Sequence, residues 1–226
     1  TRLRDIKLSR ARVAPSLSPA AGNGVFATRA ISEGEIITLF PGDWILTFDS
    51  DATSVMFGDH LHGDDARYEQ YATSAAAREY AFALSSSLSL VGNPASIGDA
   101  GYLGHIMNDC AAMAKPDEIV DYALAAATRM NAAHVALEDD CHVATIATRN
   151  IAEGDEILVT YGPGYWLTRN GYTAADLQEA EAALGVELRR GGKLSRVVLA
   201  ALKEEREIFP DFILDCLCWC IAIGLI

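Results

Sequence analysis

Two stretches of the chain share one rhythm of apolar and polar positions. Ala27-Thr28-Arg29-Ala30-Ile31-Ser32-Glu33-Gly34-Glu35-Ile36-Ile37 is echoed by Ala147-Thr148-Arg149-Asn150-Ile151-Ala152-Glu153-Gly154-Asp155-Glu156-Ile157-Leu158. Each reads as strand, polar turn, strand. β-Branched residues on both sides favour extended backbone. Glu33-Gly34 and Glu153-Gly154 supply the turns, glycine because it takes a positive φ without steric cost. An apolar segment containing an aromatic follows each copy: Leu39-Phe40-Pro41-Gly42-Asp43 and Val159-Thr160-Tyr161-Gly162. Two copies are too few for a solenoid. They predict two similar hairpins in a strand-rich domain.

The pattern changes between and after the copies. Alanine-rich Arg67–Arg78 predicts a helix. Residues 79–91 predict a strand pair, and Gly92-Asn93-Pro94 a turn. Pro116–Met130 predicts a helix, with Pro116 near its start and Ile119, Tyr122, Ala123 and Ala126 on one face. His134–Leu137 and Cys141–Ala147 read as strands. Beyond Trp166 the spacing is helical. Thr173-Ala174-Ala175-Asp176 has the form of a capping box, followed by Leu177, Ala180 and Leu184 at helical intervals. Gly191-Gly192 breaks the pattern, and Leu194–Ile208 resumes it until Pro210. The expected class is α+β, mostly β. The expected domain covers residues 1–166, with inserts at about 49–91 and 112–130, and a helical region follows at 167–226.

Charge narrows the partners. Eighteen basic and 31 acidic residues among 226 give a net charge of −13. So acidic a surface repels phosphates and argues against nucleic-acid binding. It suits a basic protein partner, but solubility alone is the commoner reason for such a surface and is put ahead. From Ala30 to Ala66 there is no Lys or Arg.

The five cysteines, Cys110, Cys141, Cys216, Cys218 and Cys220, are odd in number and unevenly spaced. That is not a disulfide framework, and a reducing intracellular compartment, nucleus or cytoplasm, is expected. The first residues do not read as a signal peptide. Apolar Phe212–Ile226 is shorter than the roughly 20 residues of a membrane span and contains Asp215, so a buried helix is expected and no membrane contact. His60-Leu61-His62 reads as a polar loop, and Cys216-Leu217-Cys218-Trp219-Cys220 as buried thiols. No metal site is expected.

Four short segments stand out together: Gly22-Asn23-Gly24-Val25-Phe26, Phe40-Pro41-Gly42-Asp43, His105-Ile106-Met107-Asn108-Asp109, and Gly154–Gly162 followed by Tyr165-Trp166. Each alone is weak. Gly-Asn-Gly lacks the third glycine and the strand-to-helix setting of a dinucleotide fingerprint. Their order and spacing are far more specific. In these features the chain resembles the SET-domain family of lysine methyltransferases, from about Val13 to Trp166. The family's Gly-x-Gly opening is matched by Gly22–Ala27. Its Gly-Glu-Glu-Leu-x-x-x-Tyr-Gly ending is matched by Gly154–Gly162, with the spacing to the tyrosine kept. His105 stands where arginine is common, and Asp109 replaces the family histidine. Asn131-Ala132 is the best match to the family's Pro-Asn, displaced by the helix at 116–130. Val159 stands two before the tyrosine, where an aromatic is frequent.

The resemblance implies a β-clip fold of small sheets without the family's zinc-binding tail. It implies S-adenosylmethionine as cofactor and a lysine-containing, basic protein segment, such as a histone tail, as substrate. Tyr161 is the implied catalytic residue. Gly22, Asn23, Gly24, His105, Asn108, Asp109, Tyr161 and Trp166 are the implied cofactor contacts, and Phe40, Tyr80 and Val159 the substrate contacts. The alternative is a SET-like module that binds a protein partner and has lost catalysis through the Asp109 change. Residue chemistry agrees with the enzyme. The Gly22–Gly24 loop permits close backbone approach, Asn108 both donates and accepts, and Tyr165 or Trp166 presents an aromatic face to adenine.

Overall fold

The computed structural model describes residues 7–18, 21–49, 52–57, 79–85, 87–137 and 142–190. Its strands are β1 (Ala11–Pro15), β2 (Asn23–Ala27), β3 (Ile36–Phe40), β4 (Trp44–Asp49), β5 (Ala52–Phe57), β6 (Ala81–Ser85), β7 (Leu88–Val91), β8 (Asn108–Asp109), β9 (Ala132–Ala136), β10 (Val143–Ala147) and β11 (Glu156–Val159). Three small sheets result, ordered β1-β2-β11-β8, β3-β10-β9 and β5-β4-β7-β6. The helices among the described residues are α1 (Ile119–Arg129), α2 (Pro163–Arg169) and α3 (Ala174–Arg189), with short 3-10 turns at Gly104–Ile106 and Pro116–Glu118. The class is α+β, mostly β, as expected.

The two echoed segments correct the hairpin expectation. Neither folds back on itself. β2 and β3 flank the first turn, and β10 and β11 flank the second. β2 pairs with β11, and β3 with β10, both antiparallel. At the crossing, Ile31 and Ile151 exchange both backbone hydrogen bonds at 2.9 Å. Gly34 N donates to Ala147 O, and Gly154 N makes the same bond to Ala27 O, each at 2.9 Å. Each turn is also tied within itself. Glu35 Oε2 accepts from Ser32 N at 2.8 Å, and Asp155 Oδ2 accepts from Ala152 N at 3.1 Å. Each turn is thus closed on its own backbone, with Gly34 at φ 80° and Gly154 at φ 86°. The flanking strands carry their remaining donors and acceptors to the other copy. Ile31, Ile151, Val25 and Ile157 are buried there.

Other expectations hold with small shifts of boundary. β6 and β7 are the strand pair at 79–91. Asn93 closes the turn after it, its side-chain oxygen accepting from Ala95 N at 3.0 Å. β9 and β10 pair antiparallel, with Thr145 opposite His134. In the third sheet Trp44, Leu46, Leu90 and Val91 are buried, each worth about 1.5–3 kcal/mol of apolar transfer. Thr173 caps α3, receiving Asp176 N while Asp176 returns a carboxylate to Thr173 N, the predicted capping box.

The chain divides into two compact units, Thr1–Asn108 with Ala132–Ile157, and Asp109–Asn131 with Leu158–Ile226. The second has its own apolar core. Ile119, Tyr122 and Ala123 of α1 pack with Met113, Leu167 of α2, and Ala180, Leu184 and Leu188 of α3. Residues of α1 and of the helices after Gly162 therefore share one core. No helix among the described residues is long and apolar enough to cross a membrane. The helices expected at 67–78 and 194–208, the apolar run 212–226, His60, His62, Cys141, Cys216, Cys218 and Cys220 lie outside the described residues.

Candidate active site

In the first unit, the polar centre is the side chain of Asn108. Its amide nitrogen donates to Asn23 O and to Glu156 Oε1, both at 3.0 Å. Glu156 is only 7% exposed. Its carboxylate also accepts from Ser16 Oγ at 2.7 Å and Leu17 N at 2.9 Å. A carboxylate this deep needs several donors to offset its lost hydration, and these supply them. Gly24 is required by the same group. A Cβ built there falls 2.1 Å from Glu156 Oε1 and 3.1 Å from Asn108 Nδ2. Gly22 turns the preceding loop at φ 70°, and its carbonyl accepts from Ser16 N at 2.8 Å. The structure thus brings Gly22, Asn23, Gly24 and Asn108 together around a carboxylate that the sequence reading did not single out. The available signal was an acidic residue at the head of an otherwise apolar strand.

In the second unit the centre is Asp109. Its Oδ2 accepts from Tyr122 OH at 2.7 Å, Trp166 Nε1 at 2.7 Å and Tyr161 N at 3.0 Å. Its Oδ1 accepts from Ala111 N at 3.1 Å and from the Cys110 thiol at 3.5 Å. The Tyr122 oxygen in turn lies 2.8 Å from Thr160 Oγ1 and accepts from Gly162 N at 3.0 Å. Because the phenol hydrogen goes to the carboxylate, the Thr160 hydroxyl is the donor of that pair. Burial first, and the Asp109 charge second, push Tyr122 above the ordinary tyrosine range, so it keeps its proton. Burial, then Asp109, pushes the Cys110 thiol up to about 12. It is therefore a packed thiol and not a nucleophile.

Tyr161 lies just beyond β11 and is 38% exposed. Its ring stacks on Trp166, centroids 6.2 Å apart and planes at 18°, and meets Tyr165 edge-on at 4.8 Å. Asn131 brackets the same strand. Its Oδ1 accepts from Leu158 N at 2.8 Å, and its N donates to Leu158 O at 3.1 Å. Val159 is 1% exposed, its carbonyl accepting from Cys110 N at 2.9 Å. Asp109, Tyr161 and Trp166 are thus joined. Tyr122 and Thr160 complete the group, and sequence reading had given them no polar role. A tyrosine on the apolar face of a helix was the available signal, because a buried phenol seeks a partner.

His105, Phe40 and Tyr80 form a third group, in the first unit. His105 Nε2 is 2.9 Å from Asn93 O, and its ring lies 6.3 Å from those of Phe40 and Tyr80. A Cβ on Gly92 would come within 2.5 Å of His105, so glycine there lets the ring pack. Phe40 is 6% exposed and also meets Phe82 at 5.6 Å and His134 at 5.5 Å. Among the described residues no group of three or more His, Cys, Asp or Glu is placed to hold a metal.

The family model for the SET domain matches residues 22–162. No curated protein matches the chain. Among solved structures, a Plasmodium falciparum protein assigned as a histone methyltransferase is similar at 16% identity and TM-score 0.39, over 71% of this chain and 99% of that one. A humanised mutant of the Chaetomium thermophilum Polycomb Repressive Complex 2, bound to the inhibitor GSK126, is similar at 18% identity and TM-score 0.40. That match covers 69% of this chain and 15% of the other.

Proposed function

The chain belongs to the SET-domain family, and on that premise we propose that it is a protein-lysine N-methyltransferase using S-adenosylmethionine. The observation that carries this reading is the anchored tyrosine. Tyr161 is the last residue but one of the matched segment, and its backbone N–H is held by Asp109 at 3.0 Å. A pure binding module has no need of a tyrosine hydroxyl on a backbone so fixed. The Asp109 substitution, which suggested lost catalysis, coincides with a fully engaged carboxylate rather than a gap.

The chemistry of the proposed cofactor contacts supports this reading. Both amide hydrogens of Asn108 are spent on Asn23 and Glu156, which leaves its carbonyl oxygen as an acceptor for an ammonium tail. The Gly22–Gly24 loop offers backbone polar groups, and Tyr165 and Trp166 offer aromatic faces to adenine. Bound there, S-adenosylmethionine would supply an electrophilic methyl for a neutral lysine nitrogen.

The protein's own task is positioning. A lysine amine has an ordinary pKa of about 10.4, and only its neutral form attacks. Apolar surroundings disfavour the ammonium and lower that value. Phe40, Tyr80 and Val159 are the proposed apolar substrate contacts. The Tyr161 hydroxyl orients the amine for in-line attack. The net charge of −13 favours a basic segment such as a histone tail as acceptor.

The test is transfer of labelled methyl from S-adenosylmethionine to basic proteins, followed by amino-acid analysis. Label in methyllysine is expected. No transfer by folded protein, or label on another residue, overturns the proposal.

A further inference from the structure

Between β11 and α2 the backbone passes from strand to helix at Tyr161-Gly162. Neither ladder satisfies these two amides. Gly162 sits at φ 82°, and the next residue is Pro163, which has no N–H to contribute. Tyr161 N goes to Asp109 Oδ2, and Gly162 N goes to Tyr122 OH at 3.0 Å and Thr160 Oγ1 at 3.2 Å. The same Asp109 oxygen fixes the Trp166 indole on which the Tyr161 ring stacks. Tyr161 is therefore constrained at its own amide, at the following amide and at its ring.

We propose that Asp109 and Tyr122 are positioning residues for Tyr161, setting the direction of its hydroxyl through the Tyr161-Gly162 peptide and the Trp166 indole. The proposal rests on the reading of Tyr161 as catalytic. The chemistry explains the departure at 109. Three donors converge on one atom, which a carboxylate oxygen accepts and an imidazole nitrogen, with one lone pair, does not. The second part of the device comes from α1, the helix inserted between Asp109 and Asn131. That helix delivers the phenol that the carboxylate holds.

Tyr122→Phe in the full chain deletes one hydroxyl and keeps the ring in the core. It is expected to lower kcat by about 10- to 100-fold, the scale of a small misplacement of a reacting group. The KM for S-adenosylmethionine is expected to stay within about threefold. Amide hydrogen exchange at Gly162 is expected to accelerate. Thr160→Val, which removes a hydroxyl with little change of shape, is the second variant and should show the same split at smaller size. A merely structural hydroxyl would lower thermal stability without separating kcat from KM. Wild-type kcat in folded Tyr122→Phe overturns the proposal, and so does unchanged Gly162 exchange. If the wild-type protein transfers no methyl at all, the enzymatic reading fails. The exchange measurement then still decides whether Tyr122 holds the peptide.

Discussion

Asp109 Oδ2 accepts the backbone hydrogen of Tyr161 across 3.0 Å, although 52 positions separate them in sequence. This bond joins the two segments that carry most of the chemistry. It makes the residue at 109 part of the geometry of the tyrosine.

Removing the Tyr161 hydroxyl tests that geometry at its end point. Tyr161→Phe keeps the stack on Trp166 and the backbone bond to Asp109. Methyl transfer is expected to fall by on the order of 10²–10³, as for other positioned polar groups. Binding of S-adenosylmethionine should change little. Single-turnover rates with labelled donor, set beside calorimetric affinity, measure both.

Gly24→Ala acts on the other polar centre. The new methyl would lie 2.1 Å from Glu156 Oε1, a carboxylate already tied to Ser16, Leu17 and Asn108. Overpacking of this kind costs about 1–3 kcal/mol. Urea unfolding should show a loss in that range, with weakened donor binding because Asn108 loses its anchor. Unchanged stability would mean that Glu156 moves aside freely.

His134 predicts a pH dependence. Burial first, and the nearby His105 second, lower its pKa from 6.5 to about 4. Between those values the unfolded chain holds a proton that the folded chain does not. Stability is therefore full above about pH 6.5 and falls as the pH drops towards 4, by about 1.4 kcal/mol per unit within that window. His134→Asn keeps a polar atom for Thr145, which lies 2.9 Å from His134 Nδ1. Unfolding free energies at pH 7, 6 and 5 should decline less steeply in the variant than in the wild type.

The acidic surface predicts salt-sensitive recruitment. Binding of a basic lysine-containing peptide should weaken between 50 and 500 mM salt, roughly the range over which the Debye length shrinks from above 10 Å to below 5 Å. Fluorescence anisotropy of a labelled peptide reads this directly. Affinity independent of salt removes electrostatic attraction from the account.

Local signals in the sequence were legible where local physics decides. The capping box at Thr173 and Asp176, the Asn93 turn and the helix after Pro116 depend on neighbours within four residues. The glycines at 34 and 154 were read correctly as turns. Their strand partners were not, because closing each turn on its own acidic side chain leaves the choice of partner to contacts far away in sequence. Around the two polar centres, Tyr161 and Asn108 were singled out by motif spacing. Glu156, Ser16, Tyr122 and Thr160 were not, because their roles arise only when distant segments meet. Asp109 had looked like a lost histidine. Its role became readable only with the phenol and indole that converge on it.

Titration calorimetry of the full chain with S-adenosylmethionine tests the enzymatic reading at its first step. Saturable binding near one donor per chain is expected, weakened in Gly24→Ala and nearly unchanged in Tyr161→Phe. A folded wild-type protein that takes up no S-adenosylmethionine would contradict that reading.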